Sequence, residues 1–164
     1  MIDFIEKLPG VGLIGLWGRS MGAATIMLYT HTDKRIKAIC VDSPFADFSV
    51  LTQSLVYNYM KIPGFIVKGA LIFIRKTIMN QNNFDIDDLK PILFCSKTFA
   101  PAFFIHALAD ELIPLDHTLQ LYEGYAGEKS INIVEGGHNS SRQLHIIRTV
   151  AKFFTQYLND ESKL

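Results

Sequence analysis

Three side chains stand where a single proton-relay reaction would need them. Ser20 sits in Gly18-Arg19-Ser20-Met21-Gly22, a G-x-S-x-G spacing after the apolar run Gly12-Leu13-Ile14-Gly15-Leu16-Trp17 and before Ala23-Ala24-Thr25-Ile26-Met27-Leu28. That context predicts a strand, a sharp turn and a helix, with the serine in a strained conformation and its hydroxyl exposed above the sheet. The flanking glycines are expected to make room, because a Cβ at either would collide with a neighbouring strand or helix. A serine hydroxyl is a poor nucleophile at its own pKa; it needs an imidazole as base, and the imidazole needs a carboxylate to hold its tautomer. Asp110, in Ala107-Leu108-Ala109-Asp110-Glu111-Leu112-Ile113-Pro114, and His138, in Glu135-Gly136-Gly137-His138-Asn139, follow Ser20 in that order, each just beyond an apolar run. The chemistry this points to is acyl transfer, with the Met21 N–H at the helix start facing the developing oxyanion.

Other residues compete for these roles. Asp42 also closes an apolar run and is the rival acid, though its carboxylate better suits a cap on the turn over residues 43–47. Asp116 reads as an acid at a helix N-terminus, and Glu111 as a solvated charge. His31 ends a helix, His106 closes a strand where its ring can support the acid loop by a hydrogen bond, and His117 and His145 lie on helices. All four are assigned structural or surface roles, since none has the loop placement of His138. No histidine pair has zinc spacing, and Cys40 and Cys95 form no metal or redox motif, with Cys40 expected in the core. Neither a metal nor an organic cofactor is expected.

The elements that must position these residues follow from pattern. The 164 residues are expected to form one domain over 1–164. Residues 11–17, 36–41, 101–106 and 130–134 read as strands, residue 11–17 being apolar enough for burial on both faces. Residues 21–31, 48–60, 65–79, 115–125 and 141–158 read as helices, residues 80–84 as a polar connection, and residues 1–8 as the tail of a helix closed by Pro9-Gly10. Strands alternating with helices predict an α/β fold, a parallel sheet of about four strands flanked by helices. Each candidate site residue then lies at a strand's C-terminal end, on the rim where ligands collect in such sheets. With 16 basic and 16 acidic residues and no long run of one sign, a nucleic-acid surface is not expected. Residues 1–7 do not read as a signal peptide and no segment is long enough to span a bilayer. The cysteine usage reads as cytosolic, so the location expected is cytoplasmic, with membrane association as the alternative.

Leu16-Trp17-Gly18-Arg19-Ser20-Met21-Gly22-Ala23, Asp42-Ser43-Pro44-Phe45 and Glu135-Gly136-Gly137-His138-Asn139 resemble the eukaryotic α/β-hydrolases related to the BEM46-like proteins. That branch is similar to the serine aminopeptidase-like (S33) and prolyl-oligopeptidase-like (S9) hydrolases, with protein depalmitoylases as further relatives. The resemblance implies a serine hydrolase cleaving an ester, thioester or amide through Ser20, His138 and Asp110 and an acyl-enzyme. The substrate would be a small, lipid-like, acyl or peptide molecule. It also implies strands and helices ahead of the Ser20 strand that this chain does not carry, including the loop that normally supplies the second oxyanion donor. The chain is therefore expected to be the C-terminal part of an α/β-hydrolase domain, with one edge of its sheet bare. The alternative is a catalytically impaired fragment or scaffold that self-associates through that edge. The stretch over about 45–98 is expected to form a helical, lid-like insert. Within it Phe65-Ile66-Val67-Lys68-Gly69-Ala70-Leu71-Ile72-Phe73-Ile74 reads either as a helix packed under its neighbours or as one that touches a membrane surface.

Overall fold

A computed structural model describes residues 1–60, 75–77, 79–80 and 85–159, with only the backbone described for residues 57–60. The elements run α1 (Ile2–Ile5), β1 (Ile14–Arg19), α2 (Met21–Thr30), β2 (Ile36–Asp42), α3 (Phe48–Met60), β3 (Ala102–Ala107), α4 (Leu115–Gly124), β4 (Lys129–Val134) and α5 (Leu144–Leu158). Three short 3-10 turns lie between α3 and β3, at Ile86–Asp88, Pro91–Leu93 and Cys95–Lys97. The expected helix over 65–79 and the connection over 80–84 fall largely outside the described residues; 75–77 and 79–80 are helical.

All strand pairings are parallel, in the order β1-β2-β3-β4. Alternation along β2 and β3 sorts their side chains between two cores. Ile39, Val41, Ala102 and Phe104 face α2 and α4, packing with Ala23, Ile26, Met27 and Leu121. Cys40, Phe103, Ile105 and Ala107 point the other way, against Ile146 and Val150 of α5. The result is three layers, helix, sheet and helix, with the central strands buried on both faces. Cys40 lies in the core as expected, and burial pushes its thiol pKa far up, which leaves it inert. A third cluster of Ala24, Phe45, Leu51 and Ile113 joins the start of α3 to the rim where the loops gather.

The outer strand departs from expectation. Strand β1 begins at Ile14 rather than at residue 11, because its ladder with β2 starts at the Ile14–Ile36 pair. It is half-buried rather than enclosed, with Trp17 47% exposed, because β1 is an edge of the sheet. The bare edge is thus present among the described residues. No helix among them is long and apolar enough to cross a membrane.

Gly18 is required where β1 turns into α2. A Cβ there would lie 2.6 Å from the Gly22 carbonyl carbon and 2.8 Å from its oxygen, backbone atoms that cannot step aside. Gly18→Ala is accordingly expected to destabilise the fold by about 2–3 kcal/mol, the range of overpacked sites, readable in urea melts. The matching expectation for Gly22 is corrected: a Cβ there meets nothing within 4 Å, because the space it would enter is open in this chain.

Candidate active site

The β1–α2 turn holds Ser20 at φ 54°, ψ −120°, a region that residues with a Cβ avoid. The turn is fixed from both sides, as the Ser20 N–H donates to the Asp42 carbonyl at 2.8 Å and the Ser20 carbonyl accepts from Ala24 N–H at 3.0 Å. The hydroxyl makes no capping bond to α2. Met21 is the first helical residue, so its N–H has no acceptor within the helix and points out of the α2 N-terminus. Its side chain stands half-exposed at the same rim.

Asp110 and His138 are brought together. His138 Nδ1 lies 2.8 Å from Asp110 Oδ2, with both side chains almost wholly buried. Asp110 Oδ1 accepts from the Leu112 and Ile113 amides at 3.0 and 2.8 Å. Burial pushes the Asp110 carboxyl up, but hydrogen bonds from the Ile113 amide, His138 and the Leu112 amide outweigh it and hold it below the ordinary carboxylate value. An ionised Asp110 can only accept, so Nδ1 of His138 donates to it, and in the neutral ring Nε2 is the nitrogen that bears the lone pair. Neither Nε2 nor the Ser20 hydroxyl has a hydrogen-bond partner among the described residues.

His106 supports the acid loop as expected. Its Nε2 lies 3.0 Å from the Ile113 carbonyl, which can only accept, so Nε2 donates and Nδ1 accepts from the Thr118 hydroxyl at 2.7 Å. His117 is structural too, its Nδ1 accepting from Ala46 N–H. His145 is exposed, and His31 stacks on Phe94. Burial holds His106 and His117 below the ordinary imidazole value despite nearby carboxylates. The unfolded chain therefore binds these protons first, and stability is lost as pH falls from about 6.5 through the two folded values. Urea melts from pH 7 to pH 5 are expected to show this decline, and His106→Gln to flatten it.

Two roles proposed for neighbouring acids are corrected by the geometry. Asp42 is neither the partner of His138 nor a turn cap: its buried carboxylate accepts from Arg19 and Arg142. Glu111, expected as a solvated charge, accepts from the His138 N–H at 3.1 Å, so its carboxylate braces the histidine loop. Pattern reasoning missed Ser43, a fully buried residue at φ 50° just past β2. Its hydroxyl lies 3.4 Å from Asp42 Oδ1 and also makes a minor contribution to lowering the Asp110 pKa. A serine between an aspartate and a proline at a strand end is the one local hint of an unusual turn there.

A parallel sheet with a strained serine turn after one strand, and an acid loop and a histidine loop after two later ones, is the α/β-hydrolase fold. Solved structures share it, among them the following three. An acetyl xylan esterase from Paenibacillus sp. R4 superposes with a TM-score of 0.70 at 18% identity, over 96% of this chain and 50% of that one. Pyrococcus horikoshii acylaminoacyl peptidase gives 0.68 at 19% identity, over 96% of this chain and 26% of that one. A cold-adapted esterase from an Arctic intertidal metagenomic library gives 0.64 at 18% identity, over 96% and 55%. Among curated proteins, the uncharacterized protein YqkD of Bacillus subtilis (strain 168) is 28% identical over 157 residues. The match covers 93% of this chain and 50% of YqkD, so the chain spans half the length of that relative. No family model matches the sequence.

Proposed function

We propose that the chain carries the nucleophile, acid and base of a serine hydrolase, in the BEM46-like and S33-like branch that its motifs resemble. The observation behind this reading is the 2.8 Å bond between His138 Nδ1 and Asp110, which leaves Nε2 as a free base. In the proposed reaction the Ser20 hydroxyl oxygen bonds to the substrate carbonyl carbon as its proton passes to His138 Nε2. The carbonyl oxygen becomes an oxyanion facing the Met21 N–H. The tetrahedral intermediate then collapses, and the leaving alcohol, thiol or amine takes the proton from Nε2. Water, deprotonated by His138, hydrolyses the acyl group from Ser20 by the same steps in reverse. Asp110 stays ionised and holds the imidazole. Esterases and a peptidase share the fold, which agrees with an ester, thioester or amide substrate without choosing among them.

A fluorophosphonate probe tests the reading directly. The folded chain should gain one probe mass on the peptide containing Ser20. Folded protein that stays unlabelled after prolonged exposure would exclude Ser20 as an activated nucleophile.

The edge position of β1 favours a second reading, in which the chain self-associates by adding a strand there. Light scattering across a concentration series separates the two. A monomer that turns over small activated esters contradicts the second reading, and an inert oligomer contradicts the first.

A further inference from the structure

Asp42 is the last residue of β2 and pairs in register with Arg19, the last residue of β1. Its side chain is 1% exposed, yet it takes two guanidinium groups. Arg142 binds it in bidentate fashion, Nε to Oδ2 at 2.9 Å and Nη2 to Oδ1 at 2.8 Å, while Arg19 Nε reaches Oδ2 at 2.9 Å. The remaining donors of both arginines turn to one place. Arg142 Nη1 donates to the Gly137 and Ser140 carbonyls, and Arg19 Nη1 to the Ser140 carbonyl, each at 3.3 Å. These carbonyls flank His138 on both sides. The main chain of Asp42 meanwhile accepts the Ser20 amide at 2.8 Å.

We infer that Asp42, Arg142 and Arg19 form a clamp that sets the position of the His138 loop relative to the Ser20 turn, making all three positioning residues of the proposed site. One residue holds the two sides of the proton transfer: Asp42 fixes Ser20 through its carbonyl and the histidine loop through its carboxylate. The loop needs this. Its own bonds are limited to Gly137 N–H to Ser140 Oγ and Ser140 N–H to the Gly137 carbonyl; Ala109 N–H holds the Gly136 carbonyl at its start, and its other braces, Glu111 and Asp110, bind His138 itself. Stability alone is a weak reason to bury such ions, because apolar side chains of similar volume often serve as well or better. Fixing a geometry is a better one: a displacement of about 1 Å between reacting groups costs roughly 100-fold in rate.

The inference rests on the hydrolase reading, so its test has one arm that does not. Two variants of the full chain are compared with the unaltered protein: Arg19→Gln, which keeps the buried Asp42–Arg142 pair, and the paired Asp42→Asn, Arg142→Met, which removes both buried charges together. The readouts are the rate of fluorophosphonate labelling at Ser20, kcat and KM for a small activated ester, the thermal midpoint, and amide hydrogen exchange of residues 137–140. Arg19→Gln should slow labelling and lower kcat by about 10-fold with KM unchanged, and the paired variant by about 100-fold. Exchange over 137–140 should speed by about 10-fold while exchange in β2 and β3 stays as it was. Folded variants that label at the unaltered rate, with unchanged exchange over 137–140, overturn the clamp. If the unaltered chain itself does not label, the hydrolase reading falls, and exchange alone decides the clamp: faster exchange supports it and equal exchange ends it.

Discussion

Ser20→Ala is expected to lower turnover of an activated ester by roughly 10⁴- to 10⁶-fold, the loss seen when a serine nucleophile is removed. The thermal midpoint should hardly move. The lost hydroxyl makes no capping bond, so its removal strands no partner. Alanine also inherits the strain, since φ 54° is as unfavourable for its Cβ as for that of serine. Ser20→Gly makes the complementary test. Glycine adopts this backbone freely, so this variant should be about 1 kcal/mol more stable than the alanine one and equally inert. A stabler but inactive glycine variant would show that the turn stores strain for the sake of the hydroxyl. Undiminished turnover by Ser20→Ala would remove Ser20 from the mechanism.

Asp110→Asn should cost about 10⁴-fold in kcat with little loss of stability. The reason lies in which oxygen does what. Oδ1 accepts from two backbone amides, the Leu112 and Ile113 N–H groups, while Oδ2 faces His138 Nδ1. An asparagine would keep its carbonyl on the two amides and turn its NH₂ toward the imidazole. That NH₂ can only donate, so Nδ1 would have to accept and the proton would move to Nε2. The ring would stay in place and lose its lone pair where the Ser20 proton must go. NMR of the imidazole nitrogens should show the exchanged tautomer beside the loss of rate. If the tautomer switches and the rate holds, His138 is not the base.

How much of this could be read from the chain depends on how local each cause is. The Ser20 turn was legible because its cause is local: Gly18 must be small to pass the Gly22 backbone, and both lie within five residues. Strands β2 and β3 were legible because burial on both faces leaves a mostly apolar run, broken only by Lys37 and the terminal Asp42 in β2 and by His106 in β3. Asp110 and His138 were legible from chain order and from their places after strands, and the bond between them agrees with that pairing. Asp42 was misjudged because its partner Arg142 lies 100 residues away, and no spacing rule joins two charges that meet only through the fold. The same contact explains the late start of the last helix. It begins at Leu144 rather than at residue 141, and Arg142 in the segment before it turns inward to Asp42. Glu111 is not legible because its partner is a backbone amide 27 residues on: its carboxylate sits at the surface and still accepts the His138 N–H.

The half-exposed indole at position 17 is the chain's one tryptophan, on the bare strand and three residues before the strained serine. Its fluorescence therefore comes from a single known address. A water-like red emission should shift to the blue if another strand closes over that edge, so a cuvette measurement reports on the proposed strand addition.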